Sequence, residues 1–374
     1  MKSLKRAARW KNWLGIMAFS LGIHYLMLIL CSVLLDRLSF SGLWDLAVTR
    51  LTEPGDATRY LDIAENGYTV TGENAINLVF FPLYPYLVRA LGWIVGSLPL
   101  SGVLISQVCY AAASVVLYEL ILLDGDKRNA WDGVILLALY PFSVFVMGVF
   151  SEGLFLLLSL LCLYGLRTRR FVWAGIAGFL AALCRIQGML LLLPAAYELI
   201  TLRLGEEKRR FRWGDLALLL IPAGFCVYLG VNYALHGNCF QFLLYEADAP
   251  WYQSTRWIGE NLKQHYELAQ QYPGLAEIIY WPQIILFFAV LAVLLHGLWK
   301  RERGSYILYG GAYLGFTYLS GWMISGGRYM LCCVPVYIVL SKVKDGFARK
   351  LLIFIMTLLC FAYSLFFYRA HAIM

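Results

Sequence analysis

Charged side chains are scarce in this sequence of 374 residues. Asp, Glu, Lys and Arg make up 14% of the chain, about half the usual share, whereas 61% of the residues are hydrophobic. A soluble domain of this size cannot bury so much apolar surface, because its exterior requires many polar positions. The composition therefore excludes an ordinary cytosolic protein, a disordered chain and a small secreted scaffold.

Signatures of soluble enzymes and of cofactor sites are also absent. The sequence contains no G-x-G-x-x-G, P-loop, H-E-x-x-H or G-x-S-x-G motif. Its nine cysteines lack the paired spacing of a zinc site or a disulfide framework. Cys332 and Cys333 are adjacent within an apolar run, and we interpret them, like the others, as small buried hydrophobes. We therefore expect neither a metal nor a cofactor.

What the sequence does contain is repeated apolar runs of about 16–23 residues, the length that crosses about 30 Å of hydrocarbon. Their lack of alternation excludes an outer-membrane barrel. We predict an all-α, polytopic membrane protein with about 11 transmembrane helices, forming a single multi-span domain over residues 1–374. The predicted spans are 13–35, 100–123, 130–150, 152–168, 171–184, 188–203, 215–235, 281–299, 304–322, 328–343 and 349–368.

The basic residues indicate the orientation of these spans. Of the 31 Lys and Arg residues, 22 fall on one set of loops and 9 on the other. Because basic residues accumulate in cytoplasmic loops, the bias places the N-terminus in the cytoplasm and the C-terminus outside the cell membrane. The net charge of +8 is then explained by the basic residues of the cytoplasmic loops. We therefore expect no nucleic-acid partner.

Two long loops, 36–99 and 236–280, are both predicted to be external and to carry interfacial helices. Within the first, segment 80–96 contains two prolines and an arginine, and we favour a helix at the outer interface over a further span. The second loop is acidic and rich in aromatic rings, which either stack on sugars or anchor the loop at the lipid headgroups. We expect the working face to be external.

The first loop contains the densest group of polar residues. From Thr58 to Glu65 the spacing is helical, which places Asp56 at or just before the start of a helix, where free N–H groups favour a carboxylate. Asp56 is either a simple helix cap or a reactive carboxylate at the membrane surface. Further residues of this segment are candidates to line a site, namely Arg59, Tyr60, Asp62, Glu65 and Tyr68.

Two arginines lie in apolar surroundings at the same predicted outer level. Arg185 and Arg328 are either structural ion-pair partners or phosphate ligands, because a guanidinium fork matches phosphate oxygens. Glu152, where two spans meet outside, could pair with either of them or line the site. Tyr329, next to Arg328, is a further candidate to line it.

An acidic pair in a predicted inner loop offers a competing site. Asp124 and Asp126 form a D-x-D pattern, which in soluble glycosyltransferases can hold a divalent metal and a nucleotide sugar. Asp-Gly is also a common turn sequence, and we favour the turn.

Five segments in order resemble landmarks of the PIG-V family, mannosyltransferases of the GT-C class that use polyprenyl-phosphate sugars. The similarity extends over about residues 40–340, with two departures from the family pattern. Gly55 stands where the family has the tryptophan of a Trp-Asp pair, and Gly327 precedes Arg328-Tyr329 where the family has proline. The segments are GDATRYLDIAENGY…NLVFFPLYPYLVR, LYPFSVFVMGVFSEGLF, LCRIQGML, YALHGNCFQFLLYEADAPW and SGGRYMLCCVPVY.

The resemblance implies a GT-C-like fold and transfer of mannose from a polyprenyl-phosphate donor to a hydroxyl of a lipid or glycan acceptor. In such an inverting, metal-independent reaction Asp56 would be the general base. Arg185 and Arg328 would contact the donor phosphate. The short chain looks like a bacterial relative with its own acceptor. The alternative is a lipid or lipid-linked-sugar flippase, which predicts internal repeats and charges near mid-membrane. No clear repeat is present and the charges gather at one face.

The predicted topology can be tested by labelling single cysteines introduced into a cysteine-free variant. Positions 60–75 and 245–265 should react with a membrane-impermeant thiol reagent from outside, and positions 206–210 only from the cytoplasm. Labelling of 245–265 from the cytoplasm alone would contradict the orientation.

Overall fold

The protein is described from a computed structural model. Residues 2–37, 39–53, 55–205, 210, 212–321 and 325–369 are described, with side chains from residue 9 onward. Residues 206–209, which belong to the predicted inner loop and to the labelling prediction, lie outside the described residues.

The predicted all-α class is confirmed. The described residues form helices joined by loops, and their β-structure is limited to one isolated bridge between Thr255 and Ser320. The helices are α1 Lys2–Leu34, α2 Phe40–Thr52, α3 Asp56–Asn66, α4 Leu83–Val95, α5 Leu98–Leu122, α6 Lys127–Ala138, α7 Glu152–Arg167, α8 Phe171–Cys184, α9 Leu192–Leu204, α10 Leu220–His236, α11 Gln241–Ala247, α12 Ile258–Gln271, α13 Pro273–Leu275, α14 Trp281–Trp299, α15 Gly304–Tyr318, α16 Gly326–Met330, α17 Val334–Leu340 and α18 Gly346–Tyr368.

The count of eleven spans is not confirmed. Within the described ranges, six helical segments are long and apolar enough to cross a membrane, or up to seven if a bent pair forms one span. Other predicted spans correspond to shorter helices such as α6, α7 and α8, which pack inside the bundle. The six are Arg9–Leu34, Leu98–Leu122, Ile186–Leu204, Trp213–His236, Pro273–Trp299 and Gly346–Tyr368.

The bent pair overlaps segment 80–96, for which the sequence left a choice between an interfacial helix and a further membrane span. The 3₁₀ helix Glu73–Val79 and helix α4 meet at an angle of 111°. Helix α4 has 13 residues and is therefore about 20 Å long at 1.5 Å per residue. Helix α4 packs against α3 and α5. The segment is therefore bent and does not form a straight span. Its placement at the membrane interface stays a prediction.

The centre of the bundle is formed by α5, α7 and α8, which pack closely against one another. A glycine permits one of these approaches. A Cβ atom on Gly153, at the start of α7, would lie 2.5 Å from the backbone oxygen of Ser106 in α5. Because this contact is too short for any side chain, glycine allows the first turn of α7 to lie against α5.

Ion pairs join the helices at the end of the bundle where α7 finishes. Arg167, at the end of α7, contacts Asp124. Arg303 donates to Glu198 at 2.5 Å and joins α15 to α9. Arg349 pairs with the buried carboxylate of Asp132 in α6. These residues fall in or beside the loops that the basic-residue count assigns to the cytoplasm.

Candidate active site

Four charged side chains from four separate segments meet at one end of the bundle. Arg328 donates from Nε to Oε1 of Glu152 and from Nη1 to Oδ2 of Asp56, both at 2.6 Å. Arg185 donates from Nη1 to the same Oε1 of Glu152, also at 2.6 Å. The result is a continuous chain of contacts in the order Asp56, Arg328, Glu152, Arg185, whose formal charges sum to zero.

Helix ends place each member of this cluster. Asp56 is the first residue of α3, and the preceding Gly55 adopts φ of +52°, a conformation that favours glycine. Glu152 is the first residue of α7. Both carboxylates therefore lie at helix N-termini, where the helix dipole favours negative charge. Arg185 is the residue at which α8 ends, and Arg328 lies in the short helix α16.

Aromatic rings contact the two guanidinium groups. The Arg328 guanidinium lies over the rings of Phe145 and Phe150, at 4.8 and 4.7 Å from their centroids. That of Arg185 lies 5.1 Å from the centroid of the Tyr329 ring. Such cation–π contacts stabilise a guanidinium withdrawn from water.

Ser151 connects this cluster to helix α3. Nη1 of Arg185 donates to the Ser151 hydroxyl at 3.1 Å, and the same hydroxyl lies 2.9 Å from the hydroxyl of the buried Tyr60. Sequence reasoning did not identify Ser151, although its position directly before Glu152 was a usable signal.

The cluster opens into a cavity of about 1550 Å³. This volume exceeds the range of about 300–1,000 Å³ that is typical of small-ligand pockets, and so leaves room for more than one substrate group. Both charged and apolar side chains line it, and the apolar ones include Leu243, Phe316 and Phe367. The charged lining residues are Arg50, Asp56, Arg59, Asp62, Arg185, Glu246 and Arg328.

The cavity separates the sequence-predicted site residues into three groups. Glu152 is fully buried behind the two arginines. Glu65 and Tyr68, which were also candidates to line the site, are not among the residues that line this cavity. Glu65 points to an exposed face of α3, and Tyr68 donates to the backbone oxygen of Phe80 at 2.5 Å. The others line it as expected, namely Asp56, Arg59, Tyr60, Asp62, Arg185, Arg328 and Tyr329.

Asp62, which also lines the cavity, binds three asparagine side chains. Its carboxylate accepts hydrogen bonds from the side-chain amides of Asn66, Asn74 and Asn77, at 2.9, 3.0 and 2.7 Å. Arg59 donates to the amide oxygen of Asn77 at 3.3 Å. These contacts join α3 to the 3₁₀ helix that follows it, so both oxygens of Asp62 are engaged, unlike those of Asp56.

The second long loop, 236–280, supplies a carboxylate that sequence reasoning did not assign to the site. Glu246, in α11, lines the cavity, and its burial raises the pKa of its carboxyl to about 7. Its position in a loop otherwise noted only for acidity and aromatic rings gave no signal of this placement.

The competing acidic pair at the other end of the bundle is engaged in local structure. Asp124 contacts Arg167, and the carboxylate of Asp126 accepts a hydrogen bond from the backbone N–H of Asn129 at 2.8 Å, which caps α6. Among the described residues no group of three or more His, Cys, Asp and Glu side chains is placed to hold a metal ion.

Glu152→Gln tests how far the cluster depends on its central carboxylate. Because Glu152 is fully buried between two guanidinium groups, its neutralisation leaves Arg185 without a carboxylate partner among the described residues and Arg328 with Asp56 alone, and we expect a loss of about 3 kcal/mol or more of stability. Thermal unfolding in detergent measures this loss. Glu260→Gln, an exposed change in α12, should stay within about 0.5 kcal/mol of the parent. Equal stability of the two variants would contradict the central role of Glu152.

Comparison with known proteins gives one family and one curated relative. The model of the family described as "Mannosyltransferase (PIG-V)" matches residues 25–201, a range that includes Asp56, Glu152 and Arg185. GPI mannosyltransferase 2 of Drosophila melanogaster is 28% identical over 152 residues, which are 37% of this chain and 33% of that protein. The chain thus matches about a third of the length of this relative.

Among solved structures, the oligosaccharyltransferase of Archaeoglobus fulgidus aligns in two forms. The form tethered to an acceptor peptide has a TM-score of 0.45 and 12% identity, over 93% of this chain and 55% of that one. The apo form has a TM-score of 0.46 and 12% identity, over 91% and 56%. Residues 25–201, somewhat less than half of the chain, are thus similar to the family described as "Mannosyltransferase (PIG-V)".

Proposed function

We propose that the protein is an integral-membrane mannosyltransferase of the GT-C type. It transfers mannose from a polyprenyl-phosphate donor to an acceptor hydroxyl at the external face of the cell membrane, by metal-independent inversion. The observation that carries this proposal is the position of Asp56, which contacts Arg328 and is linked through Arg328 and Glu152 to Arg185, at a large cavity and within the range that matches the family.

The contacts of Asp56 suit a general base. Arg328 donates to Oδ2 only, and the side chain is 32% exposed, so Oδ1 is open to the cavity. In the reaction Asp56 accepts the proton of the acceptor hydroxyl while that oxygen attacks the anomeric carbon. The bond between this carbon and the phosphate oxygen breaks, and its electron pair leaves with the polyprenyl phosphate.

The two arginines differ in their freedom to bind the departing phosphate. Arg328 is tied to two carboxylates, whereas Arg185 is tied to one through Nη1 alone. In the described part of the chain no acceptor contacts Nε or Nη2 of Arg185, which lines the cavity. Because a guanidinium offers five N–H donors, Arg185 retains donors for the phosphate, and Arg328 chiefly holds Asp56 in position.

The charge arrangement favours this enzyme over a flippase. A flippase would be expected to use charges near mid-membrane. The four charges of the cluster instead compensate one another at helix ends, with apolar lining at Leu243, Phe316 and Phe367 suited to an isoprenoid chain.

Asp56→Asn tests both the proposed activity and its base. Purified parent protein should transfer mannose from polyprenyl-phosphate mannose and not from GDP-mannose. Asp56→Asn keeps the size of the side chain and removes its basicity, so turnover should fall by about a hundredfold or more, with thermal stability and donor binding little changed.

The matched control is Asp248→Asn, an exposed aspartate of the second outer loop, which should keep normal turnover. Direct use of GDP-mannose by the parent would contradict the proposed donor. Near-normal turnover of a folded Asp56→Asn protein would contradict the assignment of the base.

Arg185→Ala tests the phosphate contact separately. Loss of hydrogen bonds to a charged group should raise the KM for the donor by about tenfold to a hundredfold. Arg185→Lys should restore this only in part, because lysine lacks the planar fork. Arg256→Ala, in the exposed part of the second loop, should behave as the parent. An unchanged donor KM in a folded Arg185→Ala protein would contradict the role.

A further inference from the structure

The cavity has a second wall, opposite in character to the charged cluster. It is formed by the second outer loop and by the segment that follows α15. It combines four polar uncharged side chains and one carboxyl group with a proline, a tryptophan and a leucine. The residues are Glu246, Pro250, Trp251, Gln253, Ser254, Thr255, Leu319 and Ser320.

Backbone contacts tie these two segments into one surface. The N–H of Arg256 donates to the oxygen of Leu319 at 2.9 Å, and the N–H of Gly321 donates to the oxygen of Ser254 at 2.5 Å. The side chain of Ser320 also contacts that of Gln253. The two segments of the polar wall are therefore held in a defined position relative to each other.

Trp251 is the aromatic residue of loop 236–280 that lines the cavity. It is half-buried, and its ring packs edge-to-face against Phe80, with 6.0 Å between centroids. Tyr252 and Trp257, which are 60% and 69% exposed, point away from the cavity. Of these three rings, that of Trp251 is therefore the one available to a group bound in the cavity.

Glu246 adds a carboxyl group to this wall of the cavity. Its side chain is half-buried and makes no hydrogen bond or ion pair to the described residues. Burial raises the pKa of its carboxyl to about 7. In its ionised form the carboxylate can accept hydrogen bonds from hydroxyls of a bound group.

We propose that this wall, centred on Trp251 and Glu246, is a subsite for a sugar residue of the acceptor. Trp251 stacks on a pyranose face, and Glu246 with the neighbouring amide and hydroxyl groups binds the sugar hydroxyls. The inference rests on the proposed function, since it assigns the acceptor of that reaction to the glycans or glycolipids. A purely apolar alcohol would leave these polar groups without partners in a partly dehydrated cavity, at a cost in binding free energy.

Saccharide binding tests the subsite without relying on turnover. The full-length protein in lipid nanodiscs is titrated with methyl glycosides of mannose, glucose and glucosamine, and binding is followed by saturation-transfer NMR against empty nanodiscs. We expect at least one glycoside to bind the parent. Trp251→Ala and Glu246→Gln should weaken its binding by about tenfold or more, and Trp251→Phe, which keeps a ring, should recover part of the loss.

Trp257→Ala and Glu260→Gln change the same residue types on the exposed surface of the same loop and should bind as the parent does. Binding of none of the three glycosides by the parent would overturn the subsite, as would equal binding by the parent, Trp251→Ala and Glu246→Gln.

Mannosyl transfer in the same nanodiscs separates this inference from the proposed function. With the octyl derivative of the bound glycoside as acceptor, Trp251→Ala and Glu246→Gln should raise the acceptor KM and leave the donor KM within about twofold. Efficient transfer to monooleoylglycerol with none to the glycoside would identify a non-sugar acceptor and overturn the subsite while the enzyme assignment stands. Saccharide binding without transfer from polyprenyl-phosphate mannose would contradict the enzyme and support the subsite.

Discussion

The site depends on one buried carboxylate shared by two guanidinium groups. Glu152 is fully buried, and its Oε1 accepts from both Arg185 and Arg328. A buried charge is tolerated only with close compensation, so the three side chains must be brought together for any of them to be withdrawn from water. Since they belong to α7, the end of α8 and α16, the arrangement forms only when the bundle is packed.

This constraint also explains how Asp56 can be both held and reactive. Arg328 donates from one nitrogen to Glu152 and from another to Asp56. It thereby anchors the start of α3 to the buried carboxylate. The remaining carboxylate oxygen of Asp56 faces the cavity. Asp62, only six residues further on, has both oxygens engaged by asparagine amides, so two aspartates of one helix have different chemistry because of their surroundings.

The cavity combines surfaces that suit different parts of one reaction. The lining residues include the guanidinium groups and Asp56, a group of polar side chains around Trp251 and Glu246, and apolar side chains. Under the proposed function these correspond to phosphate, acceptor sugar and isoprenoid. The second long loop and the residues after α15 contribute to this lining, although they lie beyond residues 25–201 that match the family.

Local patterns were sufficient for some features and insufficient for others. Composition and apolar runs predicted the all-α class, and the spacing around Asp56 predicted α3 and its start, because both depend on neighbours in sequence. The number of spans was not confirmed, since helices such as α7 are enclosed by protein and need not be as long or as lipid-exposed as an isolated span. Glu65 and Tyr68 were expected at the site because they are close in sequence to Asp56, but the rotation of α3 and the path after it turn them elsewhere.

By itself, the sequence determined the class of fold, the helix start at Asp56, the list of charged residues in apolar surroundings and the family resemblance. Only the tertiary structure decided which of those charges meet. Arg328 and Asp56 are 272 positions apart in the chain, and no periodicity connects them. Packing of the bundle also gave Glu246 and Trp251 their common cavity, because contacts between remote segments arise from helix packing and from the requirement that buried charges find partners.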